Sequence, residues 1–136
     1  MDKYQIRHKT LDILASKAYY ALYENEESKN LNPVSTKYFE VKVQDLIEKL
    51  NVTEFEFRLA NNPVAYAKEI KYDLSYYDGE EVLFIEAEGL VAFESNKYLN
   101  QRFNEKNDKV YSVTKWVLPI VALIVSVVAL IISLMK

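Results

Sequence analysis

The 136-residue chain contains no cysteine, one histidine and only two glycines. Without cysteine, neither a disulfide framework nor a thiolate metal site can form. His8 alone cannot build a multi-histidine metal cluster. The chain also lacks an excess of positive charge, since residues 1–115 carry 16 Lys and Arg against 20 Asp and Glu. Because a domain that grips nucleic acid is usually basic on at least one face, this balance disfavours nucleic-acid binding.

Catalytic patterns are missing as well. Paired carboxylates such as Glu80 and Glu81 fall on a predicted hairpin, where solvated surface carboxylates are ordinary. His8 and Asp12 stand four positions apart on the first predicted helix, a spacing that most often stabilises a helix surface. No arrangement of Ser, His and Asp has the further parts that a nucleophile needs. The sequence therefore predicts no enzyme, no cofactor and no metal site.

One long uncharged run is present, WVLPIVALIVSVVALIISLM, from Trp116 to Met135. Twenty residues of helix span about 30 Å, the hydrocarbon thickness of a bilayer. Thirteen of the twenty are Leu, Ile or Val, and together they favour insertion by about 4–8 kcal/mol. Pro119 is expected in the first turn of this helix, where its missing N–H costs least. The run predicts a single transmembrane helix over residues 116–135.

Flanking charge predicts the orientation of this helix. Only Lys136 follows it, whereas five basic residues precede it: Lys97, Arg102, Lys106, Lys109 and Lys115. Because the excess of Lys and Arg stays on the cytoplasmic side, we expect the N-terminal domain in the cytoplasm. The helix is then a single-pass tail anchor.

A stripe of small residues follows one face of the predicted membrane helix. Ala122, Ser126, Ala129 and Ser133 are spaced by four, three and four residues, which places them within an arc of about 60°. Small residues on one face let two helices approach closely in lipid. The stripe predicts a homo-oligomer formed through the membrane helix, the alternative being a chance alignment of common residues.

The soluble part opens with an amphipathic helix, predicted over residues 4–24 from apolar positions at helical spacing. A polar run that ends in Asn32-Pro33 predicts a loop, and KYFEV at residues 37–41 predicts a short strand.

Two short helices are predicted next. Val43 to Leu50 form the first, and Asn51 suits the tight turn after it because asparagine tolerates a left-handed φ. Thr53 and Glu56 have the spacing of a capping box that opens the second helix. Two short helices joined by such a turn form a helix-turn-helix unit.

Strand periodicity follows this unit. Asn-Asn-Pro at residues 61–63 either breaks the second helix or restarts it as far as Ile70. Residues 72–76 and 82–85 are strand-like, and Asp78-Gly79 between them is a strong hairpin signal.

A last soluble helix is predicted over residues 87–103. Residues 104–115 form a polar connector, for which a helical continuation stays open. The chain thus divides into a soluble domain at 1–103, the connector at 104–115 and the membrane helix at 116–135.

This order of elements resembles that of a winged helix-turn-helix domain. VQDLIEKLNVTEFEF (43–57) is similar to the helix-turn-helix pattern of that family, and DGEEVLFIEAEGLVAFE (78–94) is similar to its wing and last helix. In the second stretch Glu88-Gly89 stands where the family usually has Glu-Gly or Lys-Gly. The resemblance covers about residues 5–100 and implies an α+β winged helix-turn-helix fold (helix-strand-helix-helix-β-hairpin-helix). With one C-terminal transmembrane α-helix added, the chain is similar to small membrane proteins of bacteria and their mobile elements, a likeness that implies no activity.

Charge argues against the DNA-binding use of that fold. Winged helices that read DNA place the second helix in the major groove and the hairpin on the backbone, and both contacts need cations. Here Glu54 and Glu56 open the second helix, and Arg58 is its only cation. The hairpin tip is acidic at Asp78, Glu80 and Glu81. Asn61 and Asn62 could read adenine, but a loop or cap role is favoured for them.

The favoured interpretation is a membrane-tethered, non-enzymatic interaction or scaffold module. Its candidate contact residues are Phe55, Phe57, Arg58, Tyr76 and Tyr77. Because the two phenylalanines are two positions apart, they cannot both face the core, and one is expected at the surface. The expected partners are the lipid bilayer and an unidentified protein. Alternatives are a membrane-anchored DNA-binding regulator and, less favoured, a small membrane-active toxin or holin-like protein.

Overall fold

The structure is a computed structural model that describes residues 1–27, 40–75 and 77–135, with the backbone alone over residues 20–27. The described chain is α+β, as predicted, with five helices and a three-stranded antiparallel sheet. The helices are α1 (Lys3–Glu27), α2 (Val43–Leu50), α3 (Glu54–Tyr66), α4 (Ala87–Glu94) and α5 (Lys97–Leu134). The strands are β1 (Val41–Lys42), β2 (Ile70–Leu74) and β3 (Glu81–Ile85). Residues 37–39 of the predicted first strand lie outside the described residues.

The chain forms two compact units, Met1–Asn100 and Gln101–Lys136. The first unit contains α1 to α4, the sheet and the first turn of α5. Its core draws side chains from every helix and from the sheet, because each element is apolar on the side that faces the others. Fully buried examples are Leu11, Leu14, Leu46, Phe57, Val64, Ile70 and Leu83.

The sheet has the order β1-β3-β2, with β3 in the centre. In the hairpin, Leu74 pairs with Glu81, and the Ser75 N–H donates to the Glu80 carbonyl at 2.8 Å. Gly79 has a φ of 70°, which glycine adopts without a steric penalty. The predicted Asp-Gly hairpin is confirmed, with strands shifted slightly from the predicted residues.

The turn between α2 and α3 has the predicted local chemistry. Asn51 ends α2 in the left-handed region, at φ 51° and ψ 53°. Thr53 and Glu56 form a reciprocal capping box, in which the Thr53 N–H donates to Glu56 Oε2 at 2.9 Å. Both predictions are confirmed, because caps and left-handed turns depend on only a few adjacent residues.

Helix α3 continues through Pro63 to Tyr66. A restart of the helix as far as Ile70 is therefore wrong, since Ile70 begins β2. Proline takes one N–H out of the helix, the one that would bond the Leu59 carbonyl, yet the chain stays helical as far as Tyr66. Lys68, at φ 56°, then turns the chain toward the strand.

The single helix predicted over residues 87–103 is also wrong. The chain leaves α4 at Ser95 and starts α5 at Lys97, with Asn96 between them at φ 51°. The Asn96 N–H donates to the Phe93 carbonyl at 3.0 Å, so the break leaves this amide satisfied. Nothing in the apolar pattern of this stretch indicates the break.

The predicted connector at 104–115 is helical and belongs to α5, which has 38 residues. The prediction that Pro119 stands in the first turn is therefore wrong, because it lies inside α5. A proline at this position removes the hydrogen bond to the carbonyl of Lys115.

Candidate functional site

The inner face of α3 determines how this helix is rotated. Phe57 enters the core, and the Asn61 amide nitrogen donates to the Thr10 hydroxyl at 3.2 Å. The Arg7 Nε–H donates to the Ala60 carbonyl at 2.6 Å. These contacts join α3 to α1. Because Asn61 is fully buried, it is not available to read a base as one hypothesis had it.

The outer face of α3 is apolar as well. Phe55, Leu59 and Tyr66 are 74%, 63% and 90% exposed, and Asn62 is exposed between them. Spacings of four, three and four residues place these four side chains within an arc of about 60°. We call this surface the α3 stripe. Exposed apolar side chains are ordinary one at a time, but three on one helix face make a candidate interaction surface.

Arg58 lies beside the α3 stripe and is held by two carboxylates. Its Nε–H donates to Glu54 at 2.8 Å, and an Nη–H donates to Glu81 at 2.7 Å. The hydrogen bonds to Glu81 and Glu54 raise the pKa of the guanidinium. The pair with Glu81 links α3 to β3, the pair with Glu54 lies within α3, and together they offset the charge of the one cation that α3 carries.

The hairpin has the same arrangement of charges. The Lys42 ammonium lies 2.7 Å from Asp78 and 2.5 Å from Glu80, and these carboxylates raise its pKa. Lys42 in turn lowers the pKa of Asp78. Lys71 pairs with Asp73 at 3.4 Å. Lys42, Arg58 and Lys71 are thus engaged by acidic side chains, and the surface around them keeps its acidic balance.

The structure places the predicted contact residues in different environments. Phe57 is a core residue and is therefore no longer a candidate contact residue. Phe55 points outward beside Arg58, which is paired with Glu54. Tyr77 is exposed on the hairpin, and Tyr76 lies outside the described residues. The expectation that only one of the two phenylalanines faces the core is confirmed.

Sequence reasoning missed Leu59 and Tyr66. Their spacing from Phe55 follows helical periodicity, so a search for a second apolar face on α3 would have found them. The signal was hidden because an apolar residue on a predicted helix is first assigned to the core.

A second polar feature surrounds Glu69, whose residue is only 3% exposed. The Lys97 ammonium contacts one carboxylate oxygen, and the Tyr98 hydroxyl donates to the other at 2.6 Å. Burial and the hydrogen bond to Glu69 raise the pKa of Tyr98. A cavity of about 520 Å³ opens beside this group. Both oxygens have partners, so the carboxylate links the residue before β2 to the first turn of α5.

His8 and the acidic side chains supply no metal centre in the part of the chain that the structure describes. No group of three or more His, Asp or Glu is placed to hold an ion there. The His8 ring stacks on Phe93, with 5.5 Å between ring centroids.

In the second unit, α5 contains one stretch that is long and apolar enough to cross a membrane. Ala122, Ser126, Ala129 and Ser133 all lie on this helix. The Ser126 hydroxyl donates to the Ala122 carbonyl at 2.8 Å, which satisfies it within the helix.

Comparison of the chain with protein-family models, with curated proteins and with solved structures found no match.

Proposed function

We propose that the protein is a membrane-tethered, non-enzymatic interaction module of the winged-helix type, with its soluble unit in the cytoplasm. The α3 stripe is the observation that carries this proposal. A helix whose inner face is already filled presents Phe55, Leu59 and Tyr66 to solvent. Removing such side chains from water contributes roughly 25 cal/mol per Å² of apolar surface, from which the entropy cost of association is subtracted.

The order of elements supports the winged-helix assignment. A helix, a short strand and two helices precede a hairpin, and the first strand pairs with the second strand of that hairpin. The left-handed Asn51 between α2 and α3 provides the tight turn of a helix-turn-helix unit.

The apolar stretch of α5 supports the tether. The stretch is long enough to span a bilayer. The basic residues Arg102, Lys106, Lys109 and Lys115 precede it, which favours a cytoplasmic position for the soluble unit. A homo-oligomer formed through this helix stays a prediction, based on the small-residue stripe from Ala122 to Ser133.

Electrostatics favour a protein partner over DNA. Residues 40–81 carry ten acidic and five basic side chains. Arg58 and Lys42, on the helix and beside the hairpin that would meet DNA, are both paired with carboxylates. A DNA phosphate would have to displace these pairs while approaching further acids, which opposes binding.

Site-specific photo-crosslinking of the full chain in cells tests the proposal. A photoreactive residue at Phe55 or Leu59 is expected to give discrete protein adducts, whereas the exposed α2 position Gln44 is expected to give none. The interaction module is disproved if the stripe positions trap no more protein than Gln44 does.

The DNA alternative and the tether have separate tests. The detergent-solubilised full chain is expected to cause no mobility shift of duplex DNA at low salt. In fractionated cells the full chain is expected to resist carbonate extraction, and a chain ending at Lys115 is expected to be released. A shift that weakens when Arg58 is changed to Gln would favour the regulator.

A further inference from the structure

We infer that the partner of the α3 stripe is the α3 stripe of a second copy of this chain, with the two helices antiparallel across a two-fold axis. The inference rests on the proposed function and names the occupant of the same surface. It concerns the soluble unit and is independent of the small-residue stripe in the membrane helix.

The spacing of the α3 stripe is the first reason. Phe55, Leu59, Asn62 and Tyr66 follow intervals of four, three and four residues, which read the same from either end of the helix. Two such helices can lie antiparallel with the two-fold axis midway between Leu59 and Asn62. Each of the four stripe positions then faces a stripe position of the second copy. Phe55 then faces Tyr66 of the second copy, and Leu59 faces Asn62. A two-fold interface needs this self-complementarity.

The charges at the two ends of α3 favour an antiparallel over a parallel arrangement of the two helices. Glu54 and Glu56 lie in the first turn, and Lys68 follows the last turn. An antiparallel pair brings the acidic end of one helix to the basic end of the other and also opposes the two helix dipoles. A parallel pair would bring Glu54 next to Glu54 of the second copy.

Because the chain is tethered to the membrane, a small contact surface is sufficient for dimer formation. One helix face is less than the surface that stable dimers in free solution usually bury. Two chains held in the same bilayer meet at a much higher effective concentration, so a weaker contact is populated. The inferred dimer therefore belongs to the membrane-bound full chain.

The absence of cysteine allows a sharp test. Two full-length variants with different tags, Phe55→Cys and Tyr66→Cys, are reconstituted together in lipid vesicles and oxidised. Facing positions in an antiparallel pair are within disulfide reach, whereas two copies of residue 55 are separated by about 16 Å along the helices. We expect a covalent heterodimer in the mixture, at least about tenfold above the homodimer of either variant alone.

Matched controls test whether crosslinking requires the two α3 stripe positions to face each other. Gln44→Cys on the exposed side of α2 is expected to crosslink with neither variant. Both substituted stripe positions are more than 70% exposed, so the core is spared, and circular dichroism of each variant checks this.

Three outcomes overturn the inference. Equal disulfide formation by each variant alone indicates a parallel pair, and no disulfide in any mixture excludes the second copy. A heterodimer with Gln44→Cys as abundant as that with Tyr66→Cys indicates random collision. If the disulfides fail while a photoreactive residue at Phe55 traps a different protein, the interaction module stands without self-association. If Phe55 also traps nothing, the proposed function fails as well.

Discussion

The Tyr98 hydroxyl donates a 2.6 Å hydrogen bond to a carboxylate oxygen of Glu69, which is almost completely buried. Lys97 occupies the other oxygen. The first turn of α5 is thereby joined to the residue that precedes β2. A buried carboxylate is expensive unless its oxygens have partners, so the first turn of α5 and the carboxylate depend on each other.

Tyr98→Phe tests this link. The change keeps the ring and leaves one oxygen of Glu69 without its donor, so we expect the free energy of unfolding to fall by about 1–3 kcal/mol. Urea unfolding of the detergent-solubilised full chain measures it. The control is Tyr19→Phe, which removes an exposed hydrogen bond to Glu94 and is expected to cost less. Equal losses in the two variants would contradict a special role for Glu69.

Gly89→Ala is expected to destabilise the first unit by roughly 1–3 kcal/mol or more. A Cβ at Gly89 would overlap the backbone carbonyl of Glu69 and lie 2.8 Å from Ile85 Cγ1. The same carbonyl accepts the Glu86 N–H at 2.9 Å, so it is held in place.

Gly79→Ala is the matched control for that change. A Cβ at Gly79 meets nothing within 4 Å, and the cost comes only from its φ of 70°, about 1 kcal/mol. Thermal unfolding of both variants should rank Gly89→Ala as the more severe. The reverse order would show that close packing under α4 is not what requires Gly89.

Thr53→Ala removes the cap of α3. The Thr53 hydroxyl accepts the Glu56 N–H at 3.3 Å, and its loss is expected to cost about 0.5–2 kcal/mol in the free energy of unfolding. Thr53→Ser keeps the hydroxyl and should stay within a few tenths of the parent chain. Urea titrations of both variants provide the measurement, and a loss of similar size in Thr53→Ser would refute the capping role.

Alkaline pH is expected to weaken the first unit through Tyr72 and Tyr98. Burial raises the pKa of Tyr72 from 10.0 to about 12, and it also raises the pKa of Tyr98. Because the folded pKa lies above the unfolded value, this stability is fully present below pH 10 and is lost as the pH rises toward 12.

Tyr72→Phe isolates one of these groups. The Tyr72 hydroxyl is buried without a hydrogen-bond partner among the described residues, so we expect its removal to be neutral or stabilising at pH 7. The same variant should lose less stability than the parent between pH 9 and pH 11. Melting temperatures across that range measure the difference, and parallel curves for the two proteins would count against the raised pKa.

Several local features were readable from the sequence because neighbouring residues decide them. Asn51 in its left-handed turn, the Thr53–Glu56 capping box and the turn at Gly79 each depend on a handful of adjacent positions. The apolar run from Trp116 to Met135 predicts a membrane-spanning length from composition alone.

Other features required the packed molecule. The break at Asn96 and the passage of α3 through Pro63 are settled by contacts between distant segments, which outweigh the local preferences of a few residues. The separation of Phe55 from Phe57 follows from the rotation of α3, which contacts with Arg7 and Thr10 of α1 set.

The sequence thus specifies the class of elements and the apolar helix, because periodicity, caps and composition are local properties. It leaves open which apolar side chains of α3 remain outside, since the pattern shows two apolar faces and the core accepts only one. Burial of Phe57 and Asn61 against α1 makes that choice, and it places Phe55, Leu59 and Tyr66 in solvent as the candidate contact surface.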